Sequence, residues 1–126
     1  MLIKKIVLEN IRSFEKQEID FPQGSTLLSG DIGTGKTSVL LAIEFALFGL
    51  QPGQRGMSLL RNQAQEGKVI MEFEVDKKEV IVERILKRGK TVSQSSCFIT
   101  LDNEKKELSV LELKDKILEL LNYPKE

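Results

Sequence analysis

The sequence predicts a mixed α/β domain, and three observations support this class. Residues 30–37 read GDIGTGKT, which matches the phosphate-binding pattern G-x-x-x-x-G-K-[ST]. An apolar segment precedes this loop and a helical segment follows it, which is the strand–loop–helix order that such loops require. The second half of the chain contains period-two segments joined by short turns, which indicate antiparallel hairpins. Because helices and hairpins do not alternate as repeated βαβα units, we expect a mixed α+β arrangement.

The segments before the loop predict three strands. Residues 2–10 are apolar and β-branched enough for a first strand, and residues 11–14 form a short connection. Residues 17–21 alternate between polar and apolar, as a strand with one solvated face does. After a Pro-Gln-Gly turn, residues 26–29 form the strand that runs into the phosphate-binding loop.

A buried helix and a long loop are predicted next. The helix extends from Ser38 to Phe48, with Gly49 as its C-cap. Glu44 is its single charged residue, so the helix is expected to be buried against a sheet. Residues 49–67 are rich in Gly, Gln, Arg and Asn and predict a long loop, which in compact domains is often functional.

The remaining chain predicts two hairpins and a final helix. The hairpin strands span residues 68–75, 79–86, 96–101 and 106–108. Ser109 and Glu112 have the spacing of a capping box, which opens a helix that Tyr123 and Pro124 end. Cys97 alternates with its strand neighbours and is interpreted as a small core residue.

Composition limits the possible functions. The chain has 126 residues, 40% of them hydrophobic and 30% charged, which suits one globular domain. Its formal net charge is zero, so overall charge gives no argument for binding nucleic acid. With one cysteine and no histidine, an internal disulfide and a Cys/His metal site are excluded. No signal peptide or membrane-spanning run is present, so we expect no membrane partner and a cytoplasmic location, nucleoid-associated or, in a eukaryote, nuclear.

The residue types in the loop suit a nucleoside triphosphate with Mg²⁺. Glycines allow consecutive backbone N–H groups to form a concave anion site. Lys36 can place its ammonium on the β- and γ-phosphates and is the predicted catalytic residue, and the hydroxyl of Thr37 can bind Mg²⁺. The predicted nucleotide contacts in the loop are Gly30, Asp31, Ile32, Gly33, Thr34, Gly35, Lys36, Thr37 and Ser38.

Hydrolysis also needs an acidic residue at the end of a buried strand, to hold Mg²⁺ and orient water. The best candidate is Asp102, after Phe98-Ile99-Thr100-Leu101, but its neighbours alternate and Asp-Asn favours a hairpin turn over a magnesium site. The chain is therefore expected to contain half of an ATP site.

The segment Ile6–Phe14, IVLENIRSF, resembles the "L-x-N-F-R-S" opening of SMC-like and SbcC-like ATPases, and its distance from the loop also matches. Nearly the whole chain is similar to the N-terminal ATPase lobe of the Rad-fifty/SbcC-like, ABC-type family of DNA double-strand-break repair. The loop motif alone is unspecific, whereas its combination with this opening is fairly specific.

The resemblance implies that residues 1–126 form an N-terminal lobe. A C-terminal lobe of the same ATPase, with the ABC signature and the acidic pair, would complete a head, and a coiled coil would separate the two lobes. Two heads would form a homodimer around ATP and Mg²⁺ and regulate an Mre-type nuclease on DNA. ATP hydrolysis would then require both the added lobe and head dimerisation.

Residue by residue, the resemblance places Arg12 and Ser13 near the nucleotide phosphates. Arg61 resembles an arginine that such heads use near nucleotide, although a solvated arginine is an equal interpretation. Ile32 departs from the family, which often has Asn there, a side chain that assists nucleotide contacts. The basic cluster Lys87, Arg88 and Lys90 could contact DNA phosphates, but a solvated turn is favoured.

Two other functions stay open from the sequence. A small self-contained kinase would need Asp102 at the end of a buried parallel strand and a lid containing Arg55 and Arg61. A nucleotide-dependent interaction module would bind ATP without hydrolysing it. The kinase predicts turnover by the chain alone, the repair head predicts none until a complementary lobe is added, and the module predicts none even then.

Overall fold

The structure, a computed structural model, describes residues 2–12, 14–21, 35–49, 59–75 and 77–120. In chain order its elements are β1 (Leu2–Ile11), β2 (Phe14–Asp20), α1 (Gly35–Phe48), β3 (Glu66–Val75), β4 (Lys78–Arg88), β5 (Val92–Leu101), β6 (Glu104–Leu108) and α2 (Val110–Leu120). The strands form one sheet in the order β2-β1-β3-β4-β5-β6, and all neighbours in it are antiparallel. The predicted mixed α/β class is confirmed.

Both helices cover the same face of the sheet. Helix α1 lies against β1, β3 and β4, while α2 lies against β5 and β6 and also touches α1. Because side chains alternate along a strand, every second strand residue enters this core. Helix α1 contributes Val39, Ala42, Phe45 and Ala46 to it, as its apolar sequence predicts, although Leu40 is exposed among the described residues.

Ion pairs occupy the opposite face of the sheet. The Lys5 ammonium lies 2.8 Å from the Glu18 carboxylate on β2. The Glu83 carboxylate lies 3.7 Å from Lys68 on β3 and 3.6 Å from Lys105 on β6. Ion pairs thus link strands across this face.

Several predicted boundaries shift in the structure. Helix α1 begins at Gly35, three residues before the predicted start at Ser38, and β5 begins at Val92, before the predicted Ser96. The loop predicted from 49 to 67 ends earlier, because β3 begins at Glu66. The strand predicted at residues 26–29 lies outside the described residues.

Within the described residues, no helix has the length and apolar character needed to cross a membrane.

Candidate functional site

The first turn of α1 carries the described part of the phosphate-binding motif. The helix begins at Gly35, so the backbone of residues 35–38 forms its N-terminal turn. This turn contains Lys36 and no acidic residue. The N-terminus of a helix is the positive end of its dipole, and this turn lacks a carboxylate that would compensate that end.

The rest of the loop motif lies outside the described part of the chain. Residues 30–34 lie outside it, and so does Ser13 of the predicted site. For residues 35–38 the structure describes the backbone alone. The predicted nucleotide contacts of this segment therefore remain predictions.

Arg12 lies in the turn directly after β1. Its φ is 55° and that of Asn10 is 54°, a left-handed conformation that is uncommon for residues other than glycine. The Arg12 N–H donates to the Leu59 carbonyl at 2.7 Å, and the Arg61 N–H donates to the Asn10 carbonyl at 2.8 Å. The two predicted arginines thus belong to adjacent backbone segments, which sequence alone did not reveal.

A close approach of β1 to β3 fixes this turn. The Asn10 side-chain amide donates to the Glu66 carbonyl at 3.0 Å. A Cβ on Gly67 would lie 2.6 Å from Leu60 Cδ1 and 2.8 Å from the Asn10 carbonyl oxygen, so a side chain there would collide with the backbone. Leu59 and Leu60 are buried in the core, which anchors the C-terminal end of the predicted long loop.

The side chain of Arg61 is half-exposed. Its guanidinium lies 3.9 Å from the Glu15 carboxylate, too far for a hydrogen bond. Its Nε is buried without a hydrogen-bond partner within the described part of the chain. The described contacts hold the backbone of Arg61 and leave the two interpretations of its side chain open.

Arg84 on β4 ties the C-terminal end of α1 to the sheet. Its Nε donates to the Ala46 carbonyl at 2.9 Å and its Nη2 to the Leu47 carbonyl at 3.2 Å. Its Nη1 donates to Gln94 Oε1 at 3.4 Å. The side chain is 1% exposed, and this burial lowers the pKa of Arg84 to about 10, so it stays protonated at neutral pH.

Sequence reasoning missed the role of Arg84, although a signal was present. Period-two alternation placed it on the same face as Val80 and Val82, which are buried. A charged residue on an apolar face needs polar partners. Those partners, the carbonyls of α1, lie 37 and 38 residues away in sequence, a distance over which periodicity gives no information.

Asp102 lies in a hairpin turn, as the sequence favoured. Asp102 and Asn103 have φ of 51° and 65° and connect β5 to β6, with Leu101 paired to Glu104. Two left-handed residues between antiparallel strands are typical of a type I′ turn. Asp102 is also exposed. The parallel strand end that the kinase alternative requires at this residue is therefore not formed, and that interpretation is wrong.

The three residues of the predicted basic cluster differ in exposure and contacts. Arg88 is half-buried and donates to the Ala64 carbonyl at 2.8 Å and to the Arg61 carbonyl at 3.3 Å. Lys87 and Lys90 are exposed. The solvated-turn interpretation holds for the two lysines, whereas Arg88 fastens the segment before β3 to the sheet.

Cys97 is a core residue, as predicted. It is 2% exposed, and its thiol donates to the Leu108 carbonyl at 3.0 Å. Burial raises the pKa of Cys97, with Arg84 opposing that rise, so the thiol stays protonated at neutral pH. Among the described residues, no group of three or more His, Cys, Asp or Glu side chains could hold a metal ion.

A family comparison agrees with this fold. Residues 5–126 match the AAA_23 family model, described as an AAA domain. The match covers nearly the whole chain, and the chain belongs to this AAA-domain family.

Curated relatives confirm the resemblance to Rad-fifty and SbcC-like proteins. The chain is 33% identical over 117 residues to the DNA double-strand break repair Rad50 ATPase of Thermoplasma acidophilum, a match of 93% of this chain and 13% of that protein. It is 34% identical over 114 residues to a subunit of the nuclease SbcCD of Staphylococcus epidermidis, covering 79% of this chain and 11% of that protein. The chain therefore spans a small part of the length of these relatives.

Solved structures share the fold. The recombination mediator protein RecF in the RecFOR pathway, in its ATPrS structure, superposes with a TM-score of 0.66 at 24% identity, covering 88% of this chain and 29% of RecF. The SMC head domain from Thermotoga maritima gives a TM-score of 0.53 at 22% identity, covering 92% of this chain and 42% of that head. The described fold is thus that of RecF and SMC ATPase heads.

Proposed function

We propose that this chain is the ATP-binding half of a DNA double-strand-break repair ATPase. The observation that carries the proposal is the first turn of α1, which has Lys36 and no acidic residue directly after the motif GDIGTG. A lysine at the positive end of the helix dipole suits an anionic ligand such as phosphate. The Rad50 and SbcCD relatives indicate which ATPase family this ligand site serves.

ATP would be held by the backbone of residues 30–38, with Arg12 and Ser13 approaching from the end of β1. Lys36 would neutralise phosphate charge, and Thr37 would offer its hydroxyl to Mg²⁺. The absence of a carboxylate from the first turn of α1 leaves the positive end of the helix dipole available to phosphate. When bound, the nucleotide supplies the γ-phosphoryl group that is transferred to water.

The site would be completed from outside this chain. Among the described residues, the acidic candidate Asp102 lies in an exposed turn and cannot serve as the acid at a buried strand end. A C-terminal lobe of the same ATPase would supply that acid, and a homodimer of heads would enclose ATP. Such heads would regulate a partner nuclease of the Mre type on DNA, in the cytoplasm or nucleus. The much greater length of the Rad50 and SbcCD relatives is consistent with further lobes of this kind.

Hydrolysis in trans tests this proposal. The chain alone and the chain mixed with a C-terminal lobe are assayed for phosphate release from Mg·ATP. We expect hydrolysis in the mixture alone, and a loss of at least about 100-fold with Lys36→Ala, because the lysine stabilises transferring phosphate charge. Hydrolysis by the chain alone would contradict the half-site. ATP binding without hydrolysis in either sample would favour the interaction module.

A further inference from the structure

The cationic group at the C-terminal end of α1 belongs to another element, the strand β4. The last turn of α1 contains no basic residue, so the helix does not neutralise the negative end of its own dipole. Arg84 supplies the missing charge from β4, through hydrogen bonds to the carbonyls of Ala46 and Leu47. Both are among the final carbonyls of a helix, which have no partner within it.

The Arg84 guanidinium is buried and keeps its positive charge without a carboxylate partner among the described residues. Within the described part of the chain, Arg84 is the one charged side chain that is buried, and no carboxylate there forms a salt bridge with it. Burying a guanidinium is costly, and an apolar residue of similar volume would fill the space at lower cost. The hydrogen bonds fix an orientation that apolar packing would leave free, since three donors of one planar group define a geometry.

We propose that Arg84 is a positioning residue for the nucleotide site, acting through α1. By holding the C-terminal end of the helix on β4, it fixes the axial position of the first turn, where Lys36 and Thr37 lie. The 14 residues of α1 form a rod about 21 Å long, so a displacement at one end reaches the other. This inference rests on the proposed function, because the first turn must bind nucleotide for its position to matter.

Three variants test the role of Arg84. Arg84→Met keeps the apolar stem and removes the donors, and Arg84→Lys keeps the charge with a smaller donor group. Lys87→Met is the control, because Lys87 lies on the same strand as Arg84 and its side chain is exposed. Amide hydrogen exchange along α1 and the equilibrium Kd of Mg·ATP are measured for each.

With Arg84→Met we expect faster exchange along all of α1, including residues 35–38, and Mg·ATP binding about 10-fold weaker. Arg84→Lys should fall between the wild type and Arg84→Met in both measurements. Lys87→Met should leave exchange in α1 unchanged and the Kd within about twofold of wild type. Wild-type exchange in α1 for Arg84→Met, or an equal loss of affinity for Lys87→Met, would overturn the inference.

Failure of the proposed function is distinguishable from failure of this inference. If the wild type does not bind Mg·ATP, the proposed function fails, and exchange at residues 35–38 alone decides whether Arg84 positions the helix. If Arg84→Met does not fold, Arg84→Lys carries both measurements. Unchanged exchange and unchanged affinity in Arg84→Lys would then overturn the inference.

Discussion

Backbone conformation and close packing both restrict the residue at position 49, at the end of α1. Its φ is 75°, the left-handed conformation that commonly ends a helix, and its N–H donates to the Phe45 carbonyl at 2.8 Å. A Cβ at this position would also lie 2.9 Å from Gln94 Oε1 and 3.1 Å from Arg84 Nη1. The conformation and the close approach of the Arg84 side chain both favour glycine here.

We therefore expect Gly49→Ala to lower the free energy of unfolding by about 1–2 kcal/mol, the typical cost of a left-handed conformation for a residue with Cβ. Urea unfolding of both proteins measures the difference. Gly89→Ala is the control, because a Cβ there would have ordinary contact, 3.8 Å, with the Thr91 carbonyl oxygen. Equal losses in the two variants would contradict the interpretation of Gly49 as a constrained C-cap.

At the scale of elements, α2 opens with the capping box that the sequence predicted. The Ser109 N–H donates to Glu112 Oε1 at 2.9 Å, and the Glu112 N–H donates to Ser109 Oγ at 3.1 Å. The hydrogen bond with the backbone of Ser109, and to a smaller extent the one with its side chain, lowers the pKa of Glu112 below its ordinary value of 4.5. The ionised form is therefore favoured in the folded chain.

This lowered pKa predicts an acid dependence of stability. The contribution of ionised Glu112 to the free energy of unfolding is fully present above pH 4.5. It is lost as the pH falls through the lower pKa that Glu112 has in the folded chain. Glutamine can also close a capping box, so Glu112→Gln should keep the helix start while its stability changes less between pH 7 and pH 3. Urea midpoints across that range are compared with those of Asp115→Asn, which removes a carboxylate of the same helix outside the box. Identical pH profiles for wild type and Glu112→Gln would refute this prediction.

The elements that sequence predicted well are those with strong local signals. Alternation identified β3 and β4, and the Ser109–Glu112 spacing identified the start of α2. The beginning of β5 was missed, because the polar residues 93–96 have little strand preference. Pairing with β4, from Arg88 opposite Val92, imposes the extended conformation there.

At the scale of the whole molecule, one sheet carries both helix α1 and the turn that contains Arg12. Helix α1 packs on β1, β3 and β4, and the turn after β1 carries Arg12. The sequence predicted nucleotide contacts in the loop motif and, by resemblance, at Arg12, because both lie in recognisable local patterns; these contacts stay predictions. It could not identify Arg84 as the partner of the α1 carbonyls, nor the pairing of residues 10–12 with 59–61, because both depend on long-range packing.

The proposed function requires that the first turn of α1 binds the phosphates of ATP through Lys36. Calorimetric titration of the chain with Mg·ATP tests it most directly, with Lys36→Ala as the variant and the exposed Lys87→Ala as its matched control. We expect saturable binding of one ATP per chain, weakened at least about 10-fold by Lys36→Ala, since charge-assisted hydrogen bonds to phosphate are lost, and unchanged by Lys87→Ala. Absence of binding by the wild type, or equal affinity in Lys36→Ala, would contradict the account.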